Sequence, residues 1–306
     1  MGLLKTNLIE DAVTQIKMSN IISGQPVMWV SAYLVDDLLI DTGLNYAKKE
    51  LVDFMKTRKL SKIVNTHHHE DHISGNHLLQ STHDVSIFVH PLAVPLLKLK
   101  PKLYPYQELT WGYPDPSQAK PIGDVIETEN HEFHIIHTPG HSFDHIAVVE
   151  PKERWIFVGD VFISVRLVAG RLDESQWQTI SSFGKLREFS PLILFPAVND
   201  PVSGATGILD RAISLREETG NRILKLSKDG LNNAQIVEEV FGKEAEFDRL
   251  GMHFTYKEYT QNQYSTENLV ESFAHGQHLL STSFPDLVLP PSSNDRDQDN
   301  LKGARS

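Results

Sequence analysis

The chain of 306 residues contains no cysteine. That absence excludes disulfides and every thiolate metal site, and leaves imidazole and carboxylate as the ligands on offer. No apolar run approaches the length of a membrane span. The opening Met1-Gly2-Leu3-Leu4-Lys5-Thr6 lacks a basic segment followed by a long apolar stretch, so no secretory signal is expected and a cytoplasmic location is. It does fit the loose acylation pattern M-G-x-x-x-[ST], which is short enough to arise by chance. A Gly-x-Ser-x-Gly nucleophile elbow is missing, as is a Gly-rich phosphate loop. Basic residues are also few, 29 against 40 acidic for a net charge of −11. That balance argues against a broad electrostatic surface for nucleic acid. Apolar residues make up 40 % of the chain, enough to build the core of one large domain or two unequal ones.

What the chain does have is histidine, concentrated in Asn65-Thr66-His67-His68-His69-Glu70-Asp71-His72. His67, His69, Asp71 and His72 form an H-x-H-x-D-H pattern. It follows the short apolar run Lys62-Ile63-Val64 and precedes Ile73-Ser74-Gly75-Asn76, which reads as turn into helix. Four metal-type ligands therefore sit at the C-terminal end of an expected strand, the edge where α/β folds build sites. In an extended segment residues two apart point the same way, so His67 and His69 can reach one point. Asp71 and His72, past the turn, can reach a second one nearby. Such a ligand set suits zinc, iron or manganese.

Around this loop the pattern alternates between strand and helix. Residues 12–35 read as paired strands (Val13 to Met18 and Met28 to Val35), Asp36-Asp37 as their turn, and Leu38-Leu39-Ile40 as the next strand, ending in Asp41-Thr42-Gly43. An Asp-Thr-Gly of an aspartic protease would need a second copy, and none is present. Asp41 instead reads as a buried residue supporting the site from behind. Helical spacing covers 44–58. Val85 to His90 is a strand stopped by Pro91. Residues 91–122, rich in proline, lysine and aromatics, read as an insertion whose Tyr104, Tyr106, Trp111 and Tyr113 are assigned to packing rather than to a pocket. Glu132 to Ile136 leads into Thr138-Pro139-Gly140-His141, where glycine permits the turn that presents His141. Trp155 to Val158 ends in Gly159-Asp160, a further acid at a strand end. Helices are expected over 210–226, over Asn233 to Phe241 closed by Gly242, and from Ser265 onward.

Taken in order, Asp41-Thr42-Gly43, Thr66-His67-x-His69-x-Asp71-His72, Thr138-Pro139-Gly140-His141 and Gly159-Asp160 resemble the metallo-β-lactamase superfamily over about the first 200 residues. The resemblance implies an α/β fold, a four-layer αβ/βα sandwich with metals held between the loops of its sheets. It implies that His67, His69 and His141 hold one metal, that Asp71 and His72 hold another, and that Asp160 bridges them. The expected cofactor is zinc, one or two ions per chain, with iron or manganese in some branches. The family's last histidine is absent: Val198, in Phe195-Pro196-Ala197-Val198-Asn199-Asp200, stands in its place. Asn199 or Asp200 would substitute if the loop turns inward. The expected organisation is a catalytic domain over 1–204, a small helical, winged-helix-like C-terminal domain over 205–282 and a disordered tail over 283–306.

The chemistry expected of such a centre is hydrolysis. A metal on three neutral histidines brings the pKa of bound water to about 7, and Asp71 is the candidate for orienting it and passing a proton to the leaving group. The expected substrate is a small molecule with an acyl bond: thioester, ester, lactone or amide. Alternatives are a phosphodiesterase or ribonuclease, a mono-iron dioxygenase on two histidines and a carboxylate, and a metal-binding protein without turnover. The helical C-terminal part is assigned to packing or homodimerisation, not to nucleic acid. His137 and His145 are candidates for supporting the ligands, though a structural part is favoured for each. His77, His83 and His90 read as outside the centre. His253, beside Phe254 and Tyr256, could swing over the site.

Overall fold

The computed structural model describes residues 2–242 and 256–275. His253 and the expected tail from 283 lie outside the described residues. Strands β1 (Gly2–Ile9), β2 (Val13–Ile22), β3 (Gln25–Pro26), β4 (Val30–Val35), β5 (Leu38–Ile40), β6 (Lys62–Val64), β7 (Ser86–Val89) and β8 (Ala119–Pro121) form a first sheet. Its order is β1-β2-β4-β5-β6-β7-β8, with β3 pairing β2. The second sheet takes β9 (Val125–Glu127), β10 (Glu132–His137), β11 (Ile146–Glu150), β12 (Trp155–Gly159), β14 (Ile193–Pro196) and β15 (Val202–Ser203), in the order β15-β14-β12-β11-β10-β9. A small pair, β13 (Gly170–Arg171) with β16 (Tyr264–Ser265), stands apart.

The two sheets stack because their central strands are apolar on both faces and divide them by a period of two. On β12, Trp155 and Phe157 point between the sheets, while Ile156 and Val158 point outward. On β11, Ile146 and Val148 face inward and Ala147 and Val149 outward. On β5, Leu38 and Ile40 join the inner core and Leu39 the outer one. Phe157 stacks on Phe195 at 4.7 Å between ring centroids, and Tyr33 of the first sheet closes on both.

Helices cover the outer faces. α1 (Lys48–Met55), through Leu51, Val52 and Met55, and α3 (Asn76–Thr82), through Leu79, pack on the first sheet. α5 (Gln176–Arg187), through Phe183 and Leu186, and α6 (Ala205–Lys228), through Leu209 and Ala212, pack on the second. The result is the expected four layers. The chain also forms the short helices α2 (Glu70–Ile73) and α4 (Pro105–Thr110). α7 (Asn233–Phe241), α8 (Tyr256–Tyr259) and α9 (Thr266–His275) follow, and Ile236, Phe241, Leu269 and Phe273 gather with Ile180 and Ile223 in a further core. α7 begins at a reciprocal cap, in which Asn232 Oδ1 accepts from Gln235 N at 3.0 Å and Gln235 Oε1 from Asn232 N at 3.0 Å. Among the described residues no helix is long and apolar enough to cross a membrane.

Some elements differ from the sequence reading. β1 is an extra strand, paired along its length with β2. The helix expected over 44–58 is a 3₁₀ turn at Asn45–Ala47 followed by the shorter α1. α6 is longer than the expected 210–226. Residues 91–122 are not wholly an insertion, since β8 extends the first sheet parallel to β7.

Candidate metal centre

The site residues come from neighbouring strand ends in register. Asp41 N donates to Val64 O at 2.9 Å as β5 ends beside β6, and Ala197 N donates to Gly159 O at 3.0 Å as β14 ends beside β12. Two glycines let these ends close in. Gly159 has φ +47°, and a Cβ there would lie 2.7 Å from His145 Nε2 and 2.8 Å from Thr66 Oγ1. Gly140 has φ +142°, and a Cβ would meet Thr179 N at 2.6 Å. Both positions demand glycine on conformation and on space.

His67, His69 and His141 are brought together, all buried. His67 Nε2 lies 2.9 Å from His69 Nδ1, and His141 Nε2 lies 3.0 Å from the same atom. Around one tetrahedral zinc, ligand nitrogens would sit about 3.3 Å apart. A second group is His67, His72 and Asp160. Asp160 Oδ2 stands between the groups, 3.5 Å from His72 Nε2 and 3.7 Å from His141 Nε2. Asp71 Oδ2 is 3.8 Å from His72 Nε2.

The outer faces of these rings are wired to acceptors, which fixes their tautomers. Asp41, itself at φ +63°, accepts from Thr66 N, Thr66 Oγ1 and His72 Nδ1, each at 2.8 Å. Because the Thr66 hydroxyl proton goes to Asp41, its oxygen accepts from His67 Nδ1 at 3.1 Å. Glu174 Oε1 accepts from His141 Nδ1 at 2.8 Å. In their neutral forms His67, His72 and His141 therefore turn the Nε2 lone pair inward. His72 Nε2 and Asp160 Oδ1 are buried and make no hydrogen bond. Converging lone pairs and an orphaned carboxylate oxygen fit a cation and little else.

The electrostatics divide the ligands: His67 and His69 favour the neutral, lone-pair form, while His72 and His141 favour a proton that a cation would displace, burial at His141 being outweighed by Glu174 and Asp160. Burial, then the surrounding imidazoles, hold His67 well below the usual histidine range. Burial does the same for His69, with Arg171 and neighbouring imidazoles adding to it. Burial would lower His72 too, but Asp41, Asp71 and Asp160 outweigh it and raise it well above. Burial pushes the Asp71 carboxyl up to about 7; His72 opposes this, and Glu70 and Asp160 add to it. Burial would raise Asp160, yet His72, His141 and His145 hold it far below the carboxylate range.

The suggested replacements for the missing histidine are overturned. Asp200 turns outward to Lys17 Nζ at 2.6 Å, and its side chain is 74 % exposed. Asn199 Nδ2 donates to Ile163 O at 3.0 Å. Val198 itself lines a cleft of about 140 Å³ beside His69, Asp71 and Asp160. Tyr106 on α4 and Trp111 at its end line that cleft while also packing into the core. They therefore do more than pack. His145 abuts the centre, accepting from Asp160 N at 3.3 Å. His137 does not; it stacks on His90 at 4.4 Å. His77 bonds Pro116 O and His83 meets Thr82, both away from the cluster. Sequence reasoning missed Glu174, Arg171 and Tyr264. Each comes from an irregular or very short element with no motif, and only the fold brings it to the cleft.

Known proteins resemble this chain in sequence and in fold. Residues 29–198 match the model of the metallo-beta-lactamase superfamily. A hydroxyacylglutathione hydrolase of Bdellovibrio bacteriovorus is 29 % identical over 147 residues, 47 % of this chain and 51 % of that protein. One of Pseudoalteromonas translucida is 34 % identical over 130 residues, 42 % of each. The chain thus spans about half the length of such relatives. Among solved structures, a beta-lactamase domain protein from Burkholderia ambifaria superposes with a TM-score of 0.62 at 16 % identity, over 90 % of this chain and 89 % of that one. A metallo-beta-lactamase family protein from Thermus thermophilus gives 0.60 at 15 %, over 89 % and 94 %. With its strand-end motifs, its stacked sheets and a family match over more than half its length, the chain belongs to the metallo-beta-lactamase superfamily.

Proposed function

We propose that the chain is a metal-dependent hydrolase of small acyl substrates, with a thioester as the favoured class. The observation that carries this reading is the meeting of three inward-facing imidazole nitrogens with Asp160 at the floor of a narrow cleft. His67, His69 and His141 would hold the first ion, zinc being the metal that suits three neutral imidazoles best. His72, Asp160 and Asp71 would hold a second more weakly, for want of a ligand at Val198. The metal supplies a Lewis acid and a water of pKa about 7. The chain's own residues do the rest. Asp41 and Glu174 keep the rings in the ligand tautomer, and Asp71 stands at the cleft floor to hold or release a proton. Met28, Tyr106, Trp111 and Val198 wall the cleft with apolar surface and limit water. At about 140 Å³ the cleft admits an acyl group and not a bulky one, so a larger leaving group must extend through the mouth. The relatives named hydroxyacylglutathione hydrolases favour a thioester over the lactone, ester or amide.

The test is metal content per chain together with turnover of a thioester, lactone and ester panel. Zinc with thioester turnover, both lost in His69→Ala, is the expected result. A zinc-loaded protein inert to every acyl substrate would refute the hydrolase. Val198 favours one competing reading, a single-iron dioxygenase, since it leaves one well-built site. Iron with oxygen uptake would select that reading instead.

A further inference from the structure

The carboxylate that holds His141 is itself held from the C-terminal helices. Arg216, on α6, is 4 % exposed. Its Nη1 donates to Gln176 Oε1 at 2.9 Å and its Nη2 to Ser164 O at 2.9 Å. Gln176 Nε2 donates to Glu174 Oε2 at 3.3 Å, and Glu174 Oε1 accepts from His141 Nδ1. We propose that Arg216 is a positioning residue for the metal centre, acting through Gln176 and Glu174 on His141, and that α6 and α9 are thereby working parts of that centre. This rests on the reading of His141 as a ligand.

Each link constrains the next. A buried amide can flip, and the guanidinium above Gln176 decides the flip, because it can only donate. With Oε1 committed to Arg216, the amide N–H faces Glu174. Oε2 of Glu174 then accepts from Gln176 and from Arg171 N at 3.3 Å, which leaves Oε1 for His141. The main chain is clamped from the same side. Ser272 Oγ on α9 donates to Glu174 O at 2.8 Å and accepts from Gln176 N at 2.9 Å, while Trp177 Nε1 donates to Phe273 O at 2.9 Å.

Arg216 is an expensive residue to place here. Its guanidinium lies over the Phe183 ring at 4.8 Å, its Nε has no partner, and burial pulls it down to about 10 against the influence of Glu174 and Tyr264. A methionine would pack on Phe183 without desolvating a charge. What a methionine lacks is the rigid fork that holds Gln176 and Ser164 at once. The cost is explained if the fork serves the carboxylate beneath it.

The experiment measures zinc affinity by competition with a chromogenic chelator, and the absorption spectrum of the cobalt-loaded protein. The variants are Gln176→Glu, Arg216→Met, Glu174→Gln and Glu174→Gln/Gln176→Glu, with Arg211→Met, exposed on the same helix, as control. Gln176→Glu keeps a partner for Arg216, so the fold survives, but it removes the donor to Glu174 and puts like charge there. Zinc affinity about tenfold below wild type is expected, with an altered cobalt spectrum. Arg216→Met is expected to match it, and Arg211→Met to behave as wild type. In the double variant the second change adds nothing, because both act through one carboxylate. Wild-type affinity and spectrum in Gln176→Glu would overturn the proposal, even if Arg216→Met fails to fold. Full additivity in the double variant would overturn the route through Glu174. A wild-type protein that binds no zinc would instead remove the reading of His141 on which all this stands.

Discussion

On the proposed metal reading, Val198 is the residue on which the number of bound ions turns. Its neighbours Asp71 and Asp160 line the same cleft, and its backbone is held to β12 by the Ala197 to Gly159 hydrogen bond. Asn199 and Asp200 are committed elsewhere, so no local side chain completes the second group. Val198→His is therefore expected to tighten binding of a second zinc equivalent by about tenfold or more, since ligand count sets site strength. Stepwise zinc titration against an indicator checks this; an unchanged second step would show that position 198 does not face the ion. At this scale the sequence was legible where spacing repeats a chemical motif. His67, His69, Asp71, His72, His141 and Asp160 could all be named as candidates. Glu174 could not, because nothing distinguishes it from the neighbouring acid Asp173 until β13 and α5 set it beside His141.

Among the elements, the turn between β4 and β5 does more than reverse the chain. Asp36, at φ +51°, accepts from Thr128 Oγ1 at 2.7 Å, Asn130 Nδ2 at 2.9 Å and His131 Nδ1 at 2.9 Å. Those donors sit on the β9–β10 turn, so one carboxylate ties the first sheet to the second. Partial burial would raise Asp36, but these hydrogen bonds outweigh it and bring it down to about 2. A carboxyl depressed on folding stabilises the protein above its ordinary pKa of about 4, and that stability fades as pH falls through the folded value. Asp36→Asn is expected to melt below wild type at pH 7, with the gap closing between about pH 4 and pH 2. A gap that stays constant with pH would contradict the link. The strands and helices legible in advance were those with a strong period, such as β11, β12 and α7. β1 was not, because half of its residues are exposed and only Leu4 and Ile9 reach the cores, so that backbone pairing to β2 along its whole length is its main support. The turn before α1 was read as helix because its apolar residues continue the helical spacing.

Across the whole molecule, the layers of the sandwich and the C-terminal helices share their cores. α6 gives Ala205, Leu209 and Ala212 to the outer layer of the sandwich, and Ile223 to the core with Ile236, Leu269 and Phe273. α5 does the reverse, giving Phe183 to the first and Ile180 to the second. Two antiparallel residues of β16 pair with β13, and Thr110 on α4 meets the Tyr259 hydroxyl on α8 at 3.0 Å, so the segment also roofs the cleft. Composition could suggest a change near residue 205, but it could not show that one helix serves two cores, since its buried positions from Ala205 to Ile223 run as one continuous stripe. The physical consequence is cooperativity. Units with separate cores unfold separately, whereas a helix common to both must lose its contacts with both at once. Calorimetry of the intact metal-free chain is therefore expected to show one transition whose van't Hoff and calorimetric enthalpies agree. A chain ending at residue 204 is expected to aggregate, because Phe183, Ile180 and Leu186 would lose their cover. Two resolved transitions, or a soluble 1–204 fragment with a sharp melt of its own, would mean that α6 is an attachment to the sandwich and not one of its layers.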